Sequence, residues 1–421
     1  MARPSHEAAP GPLAGIRVLE FATMLAGPYG ATLLGDLGAD VVKVEPPGGD
    51  ESRRLGPRCG RERTAFLSLN RNKRSLVLDL REAAARAVFA RLVATADIAI
   101  TNVREPALSG LGLAYEQLRA HRPDLIWIGV TAFGPDGPYA GRPGIDFLAQ
   151  GYSGLLAMNG EPGRPPVRVL VPLVDVMTSQ HVCSAALAAL LVRERTGRGQ
   201  RIDVSLLDAA VHAHASNLGS LLNAGEPPPR TGNRSQYFAP SGVFPTADGK
   251  SVVITCPSDK FFRRLCAALD LELADDPRFA HVEARQANQE ELERRLAERT
   301  AALPREALVE RLVAADVPSA PIQEVPEVVA DPQVLHNGMI VELPHPALGS
   351  VRVTGVPIKL RETPGSVRRH PPGLGEHTEE VLAELGLPAQ EIAGLVASGA
   401  AATLAPAGAP RPARTPAGPA R

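Results

Sequence analysis

Apolar and polar positions recur along this chain with two periods, and the places where the period changes mark out its elements. Short runs rich in β-branched residues predict strands at 15–22 (GIRVLEFA), 39–45 (ADVVKVE), 75–80 (SLVLDL), 97–102 (DIAITN), 125–133 (LIWIGVTAF) and 201–205 (RIDVS). Helical spacing fills the intervals: from Gly27-Pro28 through Leu37, across an Ala/Arg/Glu-rich run at 81–95, over 114–121, and along an Ala-rich run stopped by TGRGQ at 196–200. Strands that alternate with helices predict an α/β fold, a mostly parallel, doubly wound sheet extending to about residue 200.

Beyond that point the pattern changes. Residues 224–242 are rich in Pro and Gly and read as a linker or active-site loop. From 243 to 345 one short strand (SVVITC) precedes several helices, which predicts a smaller second domain of α+β type. Residues 349–360 read as a strand pair returning to the main body, and 375–387 as a late helix capped by Thr378 or Glu376. The expected division is 13–223 for the large domain, 224–242 for the linker, 243–345 for the small domain and 346–398 for the return, between disordered ends at 1–12 and 399–421.

Composition narrows the partners. The chain has 421 residues, enough for two or three domains, and its 45 basic and 46 acidic side chains leave a net charge of −1. There is no basic stripe for nucleic acid and no cationic cluster for a membrane surface. A nucleotide-bearing ligand must therefore be held by local groups. Four cysteines, Cys59, Cys183, Cys256 and Cys266, include no CxxC pair, which fits a cytoplasmic protein with neither disulfides nor a metal site. No secretory h-region opens the sequence, and the apolar run at 182–192 is too short to cross a membrane.

The most chemically suggestive stretch is Pro165 to Val211. There an apolar run, read as a buried strand, ends at Asp175, and a long helix follows. A carboxylate at such a junction can be a reactive group or a helix cap, and spacing alone leaves both open. The turn MLAGPYG could receive phosphate on a helix N-terminus, but Gly27 and Gly30 supply only GxxG, and on the residues alone it reads as a plain helix start with Pro at the first position. Glu45 stands where a dinucleotide fold places its ribose-binding acid. Arg71, Lys73, Arg74 and Arg81 surround one strand, and Asn102 and Arg104 end the next; they read as a solvated charge cluster or a phosphate site. Asp146 opens a helix as a candidate cap. His181 is isolated, and no GxSxG elbow occurs.

Taken in order, GIRVLEFATMLAGPYGATLLGDLGADVVKVEPPGGD, NKRSLVLDL, ADIAITN, GPYAGRPGIDFLAQGYSGL, LVDVMTSQ, TGRGQRIDVSLLDA, GVFPTADG and LGEHTEEVL make the chain resemble the class III CoA-transferase family. That family includes formyl-CoA transferases, carnitine CoA-transferases and α-methylacyl-CoA racemases. The resemblance implies a Rossmann-like large domain, an interlocked homodimer, coenzyme A as substrate and no permanently bound cofactor. It implies Asp175 as the nucleophile that passes through an aspartyl-CoA thioester. It implies CoA contacts at Leu25 and Ala26, at Leu78, Asp79, Leu80 and Arg81, at Asn102, Val103 and Arg104, and on the loop from Pro143 to Asp146. Leu25 replaces a glutamine of the formyl-CoA enzymes. Pro46 and Gly110 stand where those enzymes have basic or polar ligands, and Gly232–Val243 replaces their Gly-rich lid. Racemases carry a histidine before the aspartate that Asp146 matches. Here that position is Ile145, which cannot move a proton, so transfer is favoured over racemisation. Arg53, Arg54, Arg168 and Arg234 are weak candidate cations for an acceptor carboxylate; taken singly, each reads first as a solvated surface arginine. On family grounds the acceptor is a dicarboxylate such as succinate.

Overall fold

The computed structural model describes residues 11–404; 1–10 and 405–421, which hold most of the expected disordered ends, lie outside the described residues. The described chain forms two compact units. One comprises residues up to Ser153, Leu170–Ala213 and the chain from Pro332 onward; the other comprises Gly154–Val169 with His214–Asp331.

Six parallel strands organise the first unit: β1 (Arg17–Glu20), β2 (Asp40–Glu45), β3 (Lys73–Leu78), β4 (Ile98–Thr101), β5 (Ile126–Thr131) and β6 (Arg201–Ser205). Their spatial order is β3-β2-β1-β4-β5-β6, and Ala401–Ala402 adds a short antiparallel strand outside β3. This is the mixed α/β, doubly wound arrangement the alternation predicts, with the chain reversing direction of growth between β1 and β4. Residues 401–402 belong to the sheet and are not part of a disordered tail. Six helices of this unit matter below: α1 (Ala26–Asp36), α2 (Ala83–Thr95), α3 (Asp146–Tyr152), α4 (Leu173–Thr196), α5 (Leu206–Ala213) and α6 (Thr378–Glu384).

The strands carry different chemistry on their two faces, because side chains alternate along a strand. Leu19, Phe21, Val42, Val44, Leu76, Leu78 and Trp127 join one apolar cluster with α2 and α6. Phe21 packs edge-on against Phe89 and Trp127, with centroids 5.1 and 5.7 Å away. The alternate positions of the same strands, Glu20, Lys43, Glu45, Lys73 and Ser75, are buried as well.

Several local expectations change. The apolar run before Asp175 is not a buried strand: it pairs with no other strand, and Val167, Leu170 and Val171 are exposed. Pro165, Pro166 and Pro172 deprive it of ladder donors. The returning strand pair is Ile340–His345 with Gly349–Thr354, and residues 355–360 are not strand. Thr378 does not cap α6; its hydroxyl donates to the Ala402 carbonyl and accepts from the Val77 amide, which ties α6 to the sheet. At 24 residues, α4 is by itself long and apolar enough to span a membrane, yet Val174, Thr178, Ser179, Val182, Cys183, Ala186 and Ala189 on it are buried.

The second unit takes in Gly154–Val169 as well as His214–Asp331, a wider span than the expected 243–345 at its amino side and a shorter one at its carboxyl side. Its three-stranded antiparallel sheet consists of Ser241–Pro245, Ser251–Thr255 and Ser319–Pro321. Phe244, Val252, Ile254, Phe262, Leu292 and Leu308 form its core with the surrounding helices.

Candidate active site

The turn between β1 and α1 lies at the carboxyl edge of the sheet, beside the reversal of strand order, where open α/β sheets form their ligand crevice. Its amides are committed to side chains one after another. Ala22 N–H donates to Glu20 at 3.2 Å, Thr23 N–H to Asn102 Oδ1 at 2.9 Å, and Met24 N–H to Asp50 Oδ1 at 3.2 Å. Asn102 also donates from Nδ2 to the Thr23 carbonyl at 2.7 Å, so the end of β4 grips the turn from both sides. Met24 takes a φ of 71°, a left-handed conformation that a methionine adopts only where its surroundings impose it.

Beneath this turn lies a buried ion network. Lys43 Nζ is 2.8 Å from Glu20, 2.7 Å from Asp50 and 3.0 Å from the Ala22 carbonyl. Lys73 Nζ reaches Glu20 at 2.9 Å, Asn70 Oδ1 at 2.8 Å and the Pro28 carbonyl at 2.7 Å. Burial opposes the charge of Lys43, but Glu20, Asp50 and Glu45 overcome it and hold the ammonium above its ordinary pKa. Lys73 has less compensation; burial, with repulsion from Lys43, presses it down to about 8.

The helix α4 brings Asp175 to the same edge. Asp175 is the third residue of that helix, half-buried, and among the described residues no donor reaches its carboxylate. It does not cap the helix. Asp146 does so from α3, with Oδ2 accepting from the Val174 amide at 2.8 Å and the Asp175 amide at 3.2 Å. Burial, and then the neighbouring Asp146, push the Asp175 carboxyl up to about 7. One turn further on, the Ser179 hydroxyl donates to the Ala26 carbonyl at 2.9 Å, which fixes α4 against the start of α1. The two helices touch closely at Gly30, where a β-carbon would sit 2.6 Å from Val182 Cγ1.

A carboxylate free on its acceptor oxygens, at the carboxyl edge of an open α/β sheet, suits acyl chemistry, and comparison with known proteins agrees. Residues 13–378 match the family model described as CoA-transferase family III. The chain belongs to CoA-transferase family III. It is 40% identical to the succinate–glutarate CoA-transferase of Agrobacterium fabrum (strain C58 / ATCC 33970), over 89% of this chain and 96% of that one. It is 36% identical to the succinyl-CoA–D-citramalate CoA-transferase of Chloroflexus aurantiacus (strain ATCC 29366 / DSM 635 / J-10-fl), over 93% and 99%. A crystal structure of a CAIB/BAIF family protein from Brucella suis superposes with a TM-score of 0.83 at 38% identity, covering 89% of this chain and all of that one. The protein is thus an enzyme that transfers coenzyme A from an acyl-CoA donor to a free carboxylic acid.

Within this CoA-transferase, hydrogen bonds join four of the expected site segments. Besides the Thr23–Asn102 pair and the Ser179–Ala26 bond, Arg104 Nη1 donates to the Gly141 carbonyl at 3.3 Å, which leads to exposed Pro143, Ile145 and then Asp146. Leu25 and Ala26, Asn102 to Arg104, Pro143 to Asp146 and Asp175 therefore form one connected edge. Leu78 to Arg81 end β3, on the same edge but three strand spacings from β4, roughly 14 Å away.

Other expectations fail for physical reasons. Arg71, Lys73 and Arg74 are neither solvated nor open to phosphate: Arg71 pairs with Asp36 at 2.6 Å, Lys73 with Glu20, and Arg74 with Asp40, Glu380 and Glu384. Arg81 is exposed but engages Asp79 at 2.6 Å. Arg53, considered for an acceptor carboxylate, is buried, paired with Glu45 at 2.7 Å and stacked over Phe66. Glu45 is held by Arg53 and Ser75 in the interior and does not face a ribose. Arg234 pairs with Glu293 at 2.8 Å, and Arg54 donates to the Gly48 carbonyl. Asp146 is buried, with both oxygens bonded to protein donors, so it is not a CoA ligand. Sequence reasoning missed Glu20, Lys43 and Asp50; for Glu20 and Lys43 the signal was a charge inside an otherwise apolar strand, while Asp50 lies in the loop after β2 and carries no such signal.

Proposed function

We propose that Asp175 is the nucleophile of a succinyl-CoA:dicarboxylate CoA-transferase. The observation that carries this reading is the Asp175 carboxylate itself. It stands in the first turn of α4, bonded to no donor, beside the β1–α1 turn at the reversal of strand order. Its raised basicity makes it a stronger nucleophile, and the positive end of the helix offsets part of the cost of ionisation.

In the first step an Asp175 oxygen attacks the thioester carbonyl of the donor, the C–S bond breaks, and the CoA thiolate leaves with the electron pair. The resulting mixed anhydride is attacked at the aspartyl carbonyl by the thiolate. The C–O bond breaks, the donor acid departs, and aspartyl-CoA thioester remains. The acceptor acid reverses these two steps. We place the thioester by Leu25 and Ala26 and the nucleotide along Asn102, Val103 and Arg104 towards Leu78–Arg81, with Pro143 on the facing loop. The exposed Arg104 is the cation best placed for phosphate, since Arg81 would first have to release Asp79. The dicarboxylate choice follows the named activities of the two relatives above. We also infer a homodimer, because α4 presents Leu187, Leu191 and Val192 to solvent in the single chain.

Incubation with succinyl-CoA alone, followed by borohydride or hydroxylamine and peptide mass spectrometry, is expected to mark Asp175. A panel of free acids is expected to give fastest transfer to four- and five-carbon dicarboxylates. Full turnover by Asp175→Asn, with no trapped adduct in the wild type, would overturn the assignment.

A further inference from the structure

Asp146 is the second carboxylate of the site, and what it does is visible in its bonds. It opens α3 yet does not serve that helix. One oxygen accepts from Gln150 Nε2 at 2.6 Å, and the other accepts the amides of Val174 and Asp175. It is 4% exposed, so its charge is scarcely screened by water. It therefore caps the nucleophile's own helix from outside, while aiming negative charge at the residue that must shed negative charge to react.

We propose that Asp146 is a positioning residue that holds the nucleophile's helix by its amino end and, through its charge, favours acylated Asp175 over the free carboxylate. The inference rests on Asp175 being the nucleophile. In the free enzyme two carboxylates share a poorly solvated corner. When an Asp175 oxygen bonds to the acyl carbon and the C–S bond breaks, the negative charge passes to the sulfur of the departing thiolate. The aspartyl group is then neutral, as mixed anhydride and later as thioester, and its repulsion with Asp146 is gone. Asp146 needs no release of its amides for this, since the peptide groups of Val174 and Asp175 do not change during the reaction. One buried group thus fixes where the nucleophile stands and raises the free energy of its unreacted form.

Other ionisable groups on the neighbouring elements are Tyr29 and Asp36 on α1, Tyr152 on α3, Asp208 and His212 on α5, and His181, Cys183, Arg193, Glu194 and Arg195 on α4 itself. Of the charged groups around Asp175, Asp146 is the one whose field raises its proton affinity, in addition to burial.

The test is Asp146→Asn, which keeps an oxygen for the two amides and removes the charge. With the full-length enzyme and succinyl-CoA, the acidic limb of the kcat/KM profile is expected to move to lower pH by about one unit. The equilibrium ratio of trapped Asp175 adduct to free enzyme is expected to fall about tenfold, the factor that corresponds to one unit. Asp146→Ser, which also offers an oxygen without charge, serves if the asparagine variant does not fold. An unchanged pH midpoint together with an unchanged adduct ratio would show that Asp146 only caps the helix, and would overturn the proposal. Absence of any Asp175 adduct in the wild type would instead remove the nucleophile reading, and this inference with it.

Discussion

At the scale of the residue, Asp175 costs the fold something, and the cost has a sign that can be measured. Its carboxyl in the folded protein titrates near 7, against an ordinary value of 3.8. Below the ordinary value both folded and unfolded chains carry the proton, and the group has no effect. Between the two values the unfolded chain ionises first, so stability falls as pH rises, and above about 7 the penalty is complete. A shift of this size corresponds to at most about 4 kcal/mol, and to roughly 1–3 kcal/mol after allowance for partial exposure. Asp175→Asn is therefore expected to stabilise the ligand-free enzyme by about that amount at pH 8. The gain should shrink to near zero as pH falls towards 4, as read by urea unfolding across the range. A gain independent of pH would mean that the carboxylate is not strained in the fold. The position of this residue was legible in the sequence, as an acid between an apolar run and a helix, but its environment was not. Nothing in LVDVMTSQ says that the cap comes from Asp146, 29 residues earlier.

Among elements, the contact that places Asp175 is the packing of α1 on α4. Gly27 and Gly30 read as a weak nucleotide-binding GxxG, but Gly30 serves helix approach: no β-carbon fits there against Val182. Gly30→Ala is expected to cost about 1–3 kcal/mol through overpacking. It should also lower kcat, because α4 moves away from the Ala26 carbonyl that Ser179 engages. Val182→Ala in the same chain should restore much of both, the coupling a double-mutant cycle measures. Additive losses in the double variant would place the strain elsewhere. The six parallel strands were legible because parallel strands of an α/β sheet are short apolar runs between helices. The buried ion network was not, because a charge at alternate positions is the ordinary mark of a strand with one wet face. In VVKVE and KRSLVL that second face is instead covered, with Lys43, Glu45, Lys73 and Ser75 paired beneath it. The cations of NRNKRS were misread for the same reason.

For the whole molecule, the single chain leaves apolar surface that a lone soluble protein would cover. Leu170 is 83% exposed and Leu222 76%, and Leu187 and Leu191 lie one turn apart on the outer side of α4. The apolar run before Asp175 was read as a strand because its composition demands burial, yet within one chain Val167, Leu170 and Val171 stay exposed. A second copy that covers Leu170, Val171 and the outer side of α4 satisfies that demand. Because α4 carries the proposed nucleophile in its first turn, assembly and activity are expected to depend on one another. Sedimentation at nanomolar to micromolar concentration is expected to show a dimer throughout. The denaturation midpoint should rise with protein concentration, as it does when folding and association are linked. Replacing Leu187 and Leu191 together by glutamate places charge on that side of α4, and is expected to dissociate the dimer and abolish transfer in parallel. A folded monomer of either protein that retains full activity would show that the exposed leucines have another purpose.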